Sequence, residues 1–163
     1  MKNLKGVICY SVATLFAVLT LAWNATAFIT VRAGGISAST SIFDVYSKTA
    51  TGDTQTAKIM SIIALVLACV LALGCVLALL NELGIVKVKF MNYVNCALAG
   101  LFVLFALLAI IFCGMACADA NKIASQFGTT SSVGVGLIMV LISALVALAA
   151  VVFVTVSKKN KAE

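Results

Sequence analysis

Four stretches of this chain, Gly6 to Val31, Ile59 to Leu80, Tyr93 to Ala118 and Val133 to Val156, are strongly apolar and contain no Lys, Arg, Asp or Glu. Each is long enough to cross a hydrocarbon layer about 30 Å thick at about 1.5 Å per helical residue. Lipid offers no water to backbone N–H and C=O groups, so a crossing segment is a helix or a strand of a closed barrel. Unbroken apolar runs lack the alternation that a barrel needs. The expected fold class is therefore all-α: an integral membrane protein built as a single four-helix transmembrane domain over residues 1-163, with helices near 6-31, 59-80, 93-118 and 133-156.

Composition excludes the soluble classes. Only 10% of the 163 residues are charged and 64% are hydrophobic, too little charge to cover a soluble surface. No dense basic patch is present for nucleic acid.

Where the charges sit is more informative than the net +6. With four crossings, Lys2, Lys5, Lys87, Lys89, Lys158, Lys159 and Lys161 all fall on one side, which the positive-inside rule makes cytoplasmic. Both termini are then cytoplasmic, and a plasma membrane is the expected location. The other side receives Arg32, Lys48, Lys58 and Lys122, nearly balanced by Asp44, Asp53 and Asp119.

The first apolar run carries a competing signal. Ala25-Thr26-Ala27 has the small-x-small form that signal peptidase cuts, and cleavage there would leave three crossings. Apolar character continues through Phe28-Ile29-Thr30-Val31 to Arg32, well beyond the apolar core of a signal peptide. A retained first helix is expected.

Short connections make sequence neighbours antiparallel, an up-down bundle. The larger outer loop, 33-57, holds "ISASTSIFDVYS" after Gly34-Gly35, which suits a short hairpin or extended segment. A short interfacial helix over "SIFDVYS" is the weaker alternative. The second outer loop is 119-132.

Small residues recur at four-residue spacing: Ala64, Ala68 and Ala72, then Gly74 with Ala78; Gly114 with Ala118 beside Cys113 and Cys117; Ser143 with Ala147. Such faces let helices approach closely, so these positions are expected to pack helix on helix. The six cysteines read as buried small hydrophobes. Cys113-x-x-x-Cys117 lies along one helix in a spacing unsuited to a mutual disulfide. Without His, a metal site is not expected, and no cofactor is implied.

No charge lies within a span, and coupled transporters rely on such groups. Glu82 and Asp119 read as solvated charges at helix ends. Trp23 suits an interfacial anchor and Asn24 an interhelical hydrogen bond.

The frame, with both ends inside and a larger first outer loop, resembles the claudin and peripheral-myelin-protein-like tetraspan families. "TQTAKIMSIIALVLACVLALGCVLALL" and "ALAGLFVLFALLAII" are similar in style to their second and third helices. Those families carry a tryptophan motif and paired cysteines in the first outer loop, whereas Ala33 to Ala57 has neither Trp nor Cys. The resemblance implies a bundle that acts by contacting other membrane proteins, and no functional residue is carried over.

The expected function is that of a non-enzymatic tetraspan protein acting through protein contacts, as an auxiliary subunit or self-associating scaffold. Its partners would be the lipid bilayer and other membrane proteins or copies of itself. Ile42, Phe43, Val45 and Tyr46 are the candidate recognition residues, since the loop has no soluble core of its own to bury them. The alternative is an oligomeric pore with Thr14, Thr20 and Asn24 facing the conduit.

Overall fold

The computed structural model describes residues 4–47, 52–86, 88 and 90–159; the side chains of Val45, Tyr46, Ser47 and Lys159 lie outside the described set. Four helices are long and apolar enough to cross a membrane: α1 (Leu4–Asn24), α3 (Asp53–Glu82), α4 (Met91–Ala124) and α5 (Val135–Lys159). Between them stand strands β1 (Ala27–Ala33), β2 (Ile36–Ser41) and β3 (Thr129–Val133), and a short helix α2 (Ile42–Ser47). The long helices pack in a ring, α1 on α3, α3 on α4, α4 on α5 and α5 back on α1, as an up-down bundle does.

The buried positions show how the ring is held. They fall at Gly6, Tyr10, Ala13, Ala17, Thr20 and Asn24 on α1 and at Ala57, Ser61, Ala64, Ala68, Leu71, Cys75 and Ala78 on α3, where Gly74 is buried beside Cys75. On α4 they are Asn95, Ala99, Phe102, Ala106, Ala109, Cys113 and Cys117. Apart from the last step on α4, Cys113 to Cys117, these positions alternate by four and three, the spacing of a left-handed coiled-coil seam. A strict four-residue repeat drifts off such a seam. Ala64, Ala68, Gly74, Ala78, Ser143 and Ala147 are buried, but Ala72 and Gly114 are only half-buried and Ala118 is exposed, so those three turn away from the closest packing.

The first apolar run is not one helix. α1 ends at Asn24, and the Thr26 hydroxyl donates to the Trp23 carbonyl at 2.7 Å while the Thr26 N–H donates to the same oxygen. From Ala27 the chain is extended, because Phe28-Ile29-Thr30-Val31 favours a pleated surface and two neighbouring strands satisfy its backbone. The all-α expectation is corrected accordingly: a three-stranded antiparallel sheet, in the order β2-β1-β3, stands on the bundle. β3 comes from the second connection, so the two loops form one structure.

The hairpin turns at Gly34-Gly35, with φ of 53° and 84°, the left-handed pair that a two-residue turn requires. Of the two expectations for the "SIFDVYS" stretch, the short helix is the one found, as α2. Ser41 caps it: its hydroxyl donates to Asp44 Oδ2 at 2.7 Å, and its N–H donates to the same atom at 3.1 Å. The Asp44 N–H donates back to Ser41 Oγ at 3.2 Å, completing a capping box.

A bulge joins sheet to bundle. Ala27 pairs with Ser41 and Ile29 with Thr40, leaving Phe28 as the extra residue. Phe28 is buried with Ile42, Ala57, Ala109, Cys113, Cys117 and Leu137 in a second core cluster. Gly134 and Gly136 complete the join. A Cβ on Gly134 would strike the Ala27 carbonyl, and one on Gly136 would strike Thr26 Oγ1. The Gly134 N–H donates to the Phe28 carbonyl at 2.8 Å.

Candidate functional site

Two polar constellations stand out, one at each end of the bundle. At the basal end, where α1 begins, each long helix contributes one side chain. The Tyr10 hydroxyl (α1) donates to Asn92 Oδ1 (α4) at 2.6 Å, and Lys158 Nζ (α5) donates to the same oxygen at 3.4 Å. Lys158 also pairs with Glu82 (α3). The Glu82 side chain is only 8% exposed, so it is not the solvated end charge that its position suggests. Buried carboxylates are retained where a cation and further hydrogen bonds compensate desolvation, and Lys158 supplies the cation here. One turn along α4 from Asn92, Asn95 Nδ2 donates to the Gly74 carbonyl at 3.0 Å, and a Cβ on Gly74 would collide with Asn95 Oδ1. This close approach explains why Gly74 is a glycine.

At the sheet end, α4 outruns the bundle. Its 34 residues reach about 51 Å at 1.5 Å per residue, well beyond a hydrocarbon layer of about 30 Å. The overhang runs beside β3, where Asn121 Nδ2 donates to the Ser131 carbonyl at 2.9 Å and the Ser131 N–H donates to Asn121 Oδ1 at 2.6 Å. One side chain thereby does for β3 what another strand would. Asp119 and Lys122 form an exposed ion pair at 2.6 Å on the same overhang.

The sheet has two unlike faces. Directly opposed residues share a face, so the register puts Thr30 between Ser39 and Ser132, and Arg32 between Ser37 and Thr130. Five hydroxyl-bearing residues therefore share a face with Arg32, and Ser37, Ser39, Thr130 and Ser132 are exposed with it. On the other face Ile29, Val31, Ser131 and Val133 are half-buried. At the hairpin tip a concavity of about 460 Å³ is lined by Arg32, Ser37, Thr130, Ile36 and the glycines 34, 35 and 128.

The residues expected from sequence are distributed unevenly over this frame. Ile42 is 1% exposed and belongs to the join between sheet and bundle, where its side chain is withheld from any partner. Phe43 is partly exposed, and the Val45 and Tyr46 side chains lie outside the described residues. Thr20 and Asn24 are buried on one face of α1, but they hydrogen-bond back to their own helix, at Phe16 and Thr20 respectively. Thr14 also bonds back, to the Tyr10 carbonyl, and lines a different surface, an open groove between α1 and α3. The three are not brought together. Tyr10, Asn92, Asn95 and Asn121 were absent from the sequence expectations; polar residues inside or just beyond long apolar runs were the available signal.

Comparison with protein families, with curated proteins and with solved structures returned no match.

Proposed function

We propose that this chain is a multi-pass protein of the cell membrane, with both termini cytoplasmic, that works through protein contacts made by its sheet end. It serves as an auxiliary or assembly subunit of a larger membrane complex or as a self-associating scaffold, and it is not an enzyme. The single observation that carries this reading is the construction of the sheet end. Two separate connections are fused into one sheet, fixed to α4 by Asn121 and to the bundle by the Phe28 bulge, with a polar face left uncovered. A rigid, exposed platform on a membrane frame suits recognition by a partner.

The orientation is supported by lysine. Lys5 and Lys158 lie at the basal end, and Lys2, Lys87, Lys89 and Lys161 adjoin it in sequence, as the positive-inside rule requires of a cytoplasmic face. The likeness to claudin-type proteins belongs to the same proposal and rests on the frame alone. The pore alternative gains no support from the placement of Thr14, Thr20 and Asn24.

Release from the membrane in a mild detergent, followed by mass measurement and identification of every chain, tests this function. A stoichiometric complex with another membrane protein, or with further copies, is expected. A chain that runs alone at monomer mass in every mild detergent overturns it.

A further inference from the structure

Arg32 is the chain's one arginine; the other ten basic residues are lysines. The two cations are not equivalent, because a planar guanidinium engages a carboxylate through two parallel hydrogen bonds and an ammonium does not. Arg32 sits on the central strand, flanked by Ser37 and Thr130. No acidic side chain pairs with it among the described residues. Nor does any acidic residue line the concavity it borders.

We infer that the tip concavity bordered by Arg32 receives a carboxylate presented by an acidic segment of a partner protein. The proposal rests on the interaction reading above and names the partner's chemistry. Arg32 pairs with the carboxylate, and the Ser37 and Thr130 hydroxyls lie on either side to donate to its oxygens. The rim is open, since a Cβ built on Gly34, Gly35 or Gly128 would meet nothing within 4 Å.

Charge balance favours this ligand over others. One guanidinium matches the single charge of a carboxylate, while a phosphate monoester carries about −1.5 to −2 at neutral pH and no second cation lines the concavity. Sugars are commonly held against aromatic rings, and no aromatic residue lines it. Arginine is also among the residues that dominate binding energy at protein interfaces.

A sole arginine makes the test selective. The full chain in nanodiscs, labelled with nitrogen-15 arginine, gives one guanidinium Nε resonance. It is titrated with a short Asp/Glu-containing peptide, with the same peptide in Asn/Gln form, and with inorganic phosphate. The acidic peptide is expected to shift the signal saturably and the amide form to leave it in place. Peptide affinity, read separately from labelled peptide, is expected to fall about tenfold in Arg32→Lys, as for loss of one charge-assisted hydrogen bond, and further in Arg32→Gln. An unmoved resonance, equal shifts by both peptides, or phosphate binding as tightly as the acidic peptide overturns the inference. These outcomes are separable from failure of the interaction reading, which shows as a solitary chain in the detergent extract whatever the Arg32 signal does.

Discussion

Asn121 of α4 and Ser131 of β3 hold each other through two hydrogen bonds, amide to carbonyl at 2.9 Å and backbone N–H to amide oxygen at 2.6 Å. An edge strand ordinarily presents unpaired backbone groups, and here a helix side chain pairs with one residue of that edge. Asn121→Ala is expected to cost about 1–3 kcal/mol locally, because both Ser131 backbone groups lose their partners. Hydrogen exchange would report it as faster exchange at Ser131, with the bundle amides unchanged. Uniform protection across β3 in the variant would show that the asparagine is dispensable.

Gly74 of α3 and Asn95 of α4 approach closely, side chain to backbone, at 3.0 Å. Gly74→Ala forces a Cβ onto Asn95 Oδ1 and is expected to destabilise the protein by about 1–3 kcal/mol, the usual penalty of overpacking. Removing the obstructing amide with Asn95→Ala should return part of that loss. A double-mutant cycle by thermal unfolding in detergent measures the coupling, and strictly additive effects would mean the helices separate to absorb the methyl.

The basal ion pair offers a charge test. Glu82→Gln leaves Lys158 without its carboxylate, and Lys158→Met leaves Glu82 enclosed without its cation. Breaking a buried pair commonly costs 3–5 kcal/mol, but the Lys158 side chain is 29% exposed, so about 2 kcal/mol is expected after solvent screening. The double substitution should be milder than the Lys158→Met single, since no charge is stranded. Comparing the melting temperatures of the three variants decides it.

Topology has a direct readout. With Ser37→Cys, a membrane-impermeant maleimide added to intact cells is expected to label the variant well above the wild-type chain, whose six cysteines all fall within the apolar helices. Labelling of Ser37→Cys only after the membrane is permeabilised would reverse the proposed orientation.

The four long helices were legible because charge-free apolar length is a property of each segment by itself. The end of α1 was not. Phe28-Ile29-Thr30-Val31 is as apolar as the helix before it, and a short apolar run reads alike as helix or buried strand. Its fate was decided by strands that lie far away in sequence. A local signal was present at α2, since Ser41-x-x-Asp44 is a capping pattern that the hairpin reading passed over. The packing faces were legible in kind but not in phase: a four-residue repeat picked Ala72, Gly114 and Ala118, whereas the helices pack on alternating steps of four and three. Asn121 and Arg32 take their meaning from register, which only the folded sheet supplies.

Helix α4 carries an asparagine fastening near each end, Asn92 to Tyr10 and Lys158 at the base and Asn121 to Ser131 at the sheet. The two lie about 44 Å apart along one unbroken helix. α4 therefore behaves as a pinned shaft. Rotation of α4 about its own axis would strain both pins together, so a twist at the sheet would load the hydrogen bonds at the opposite end.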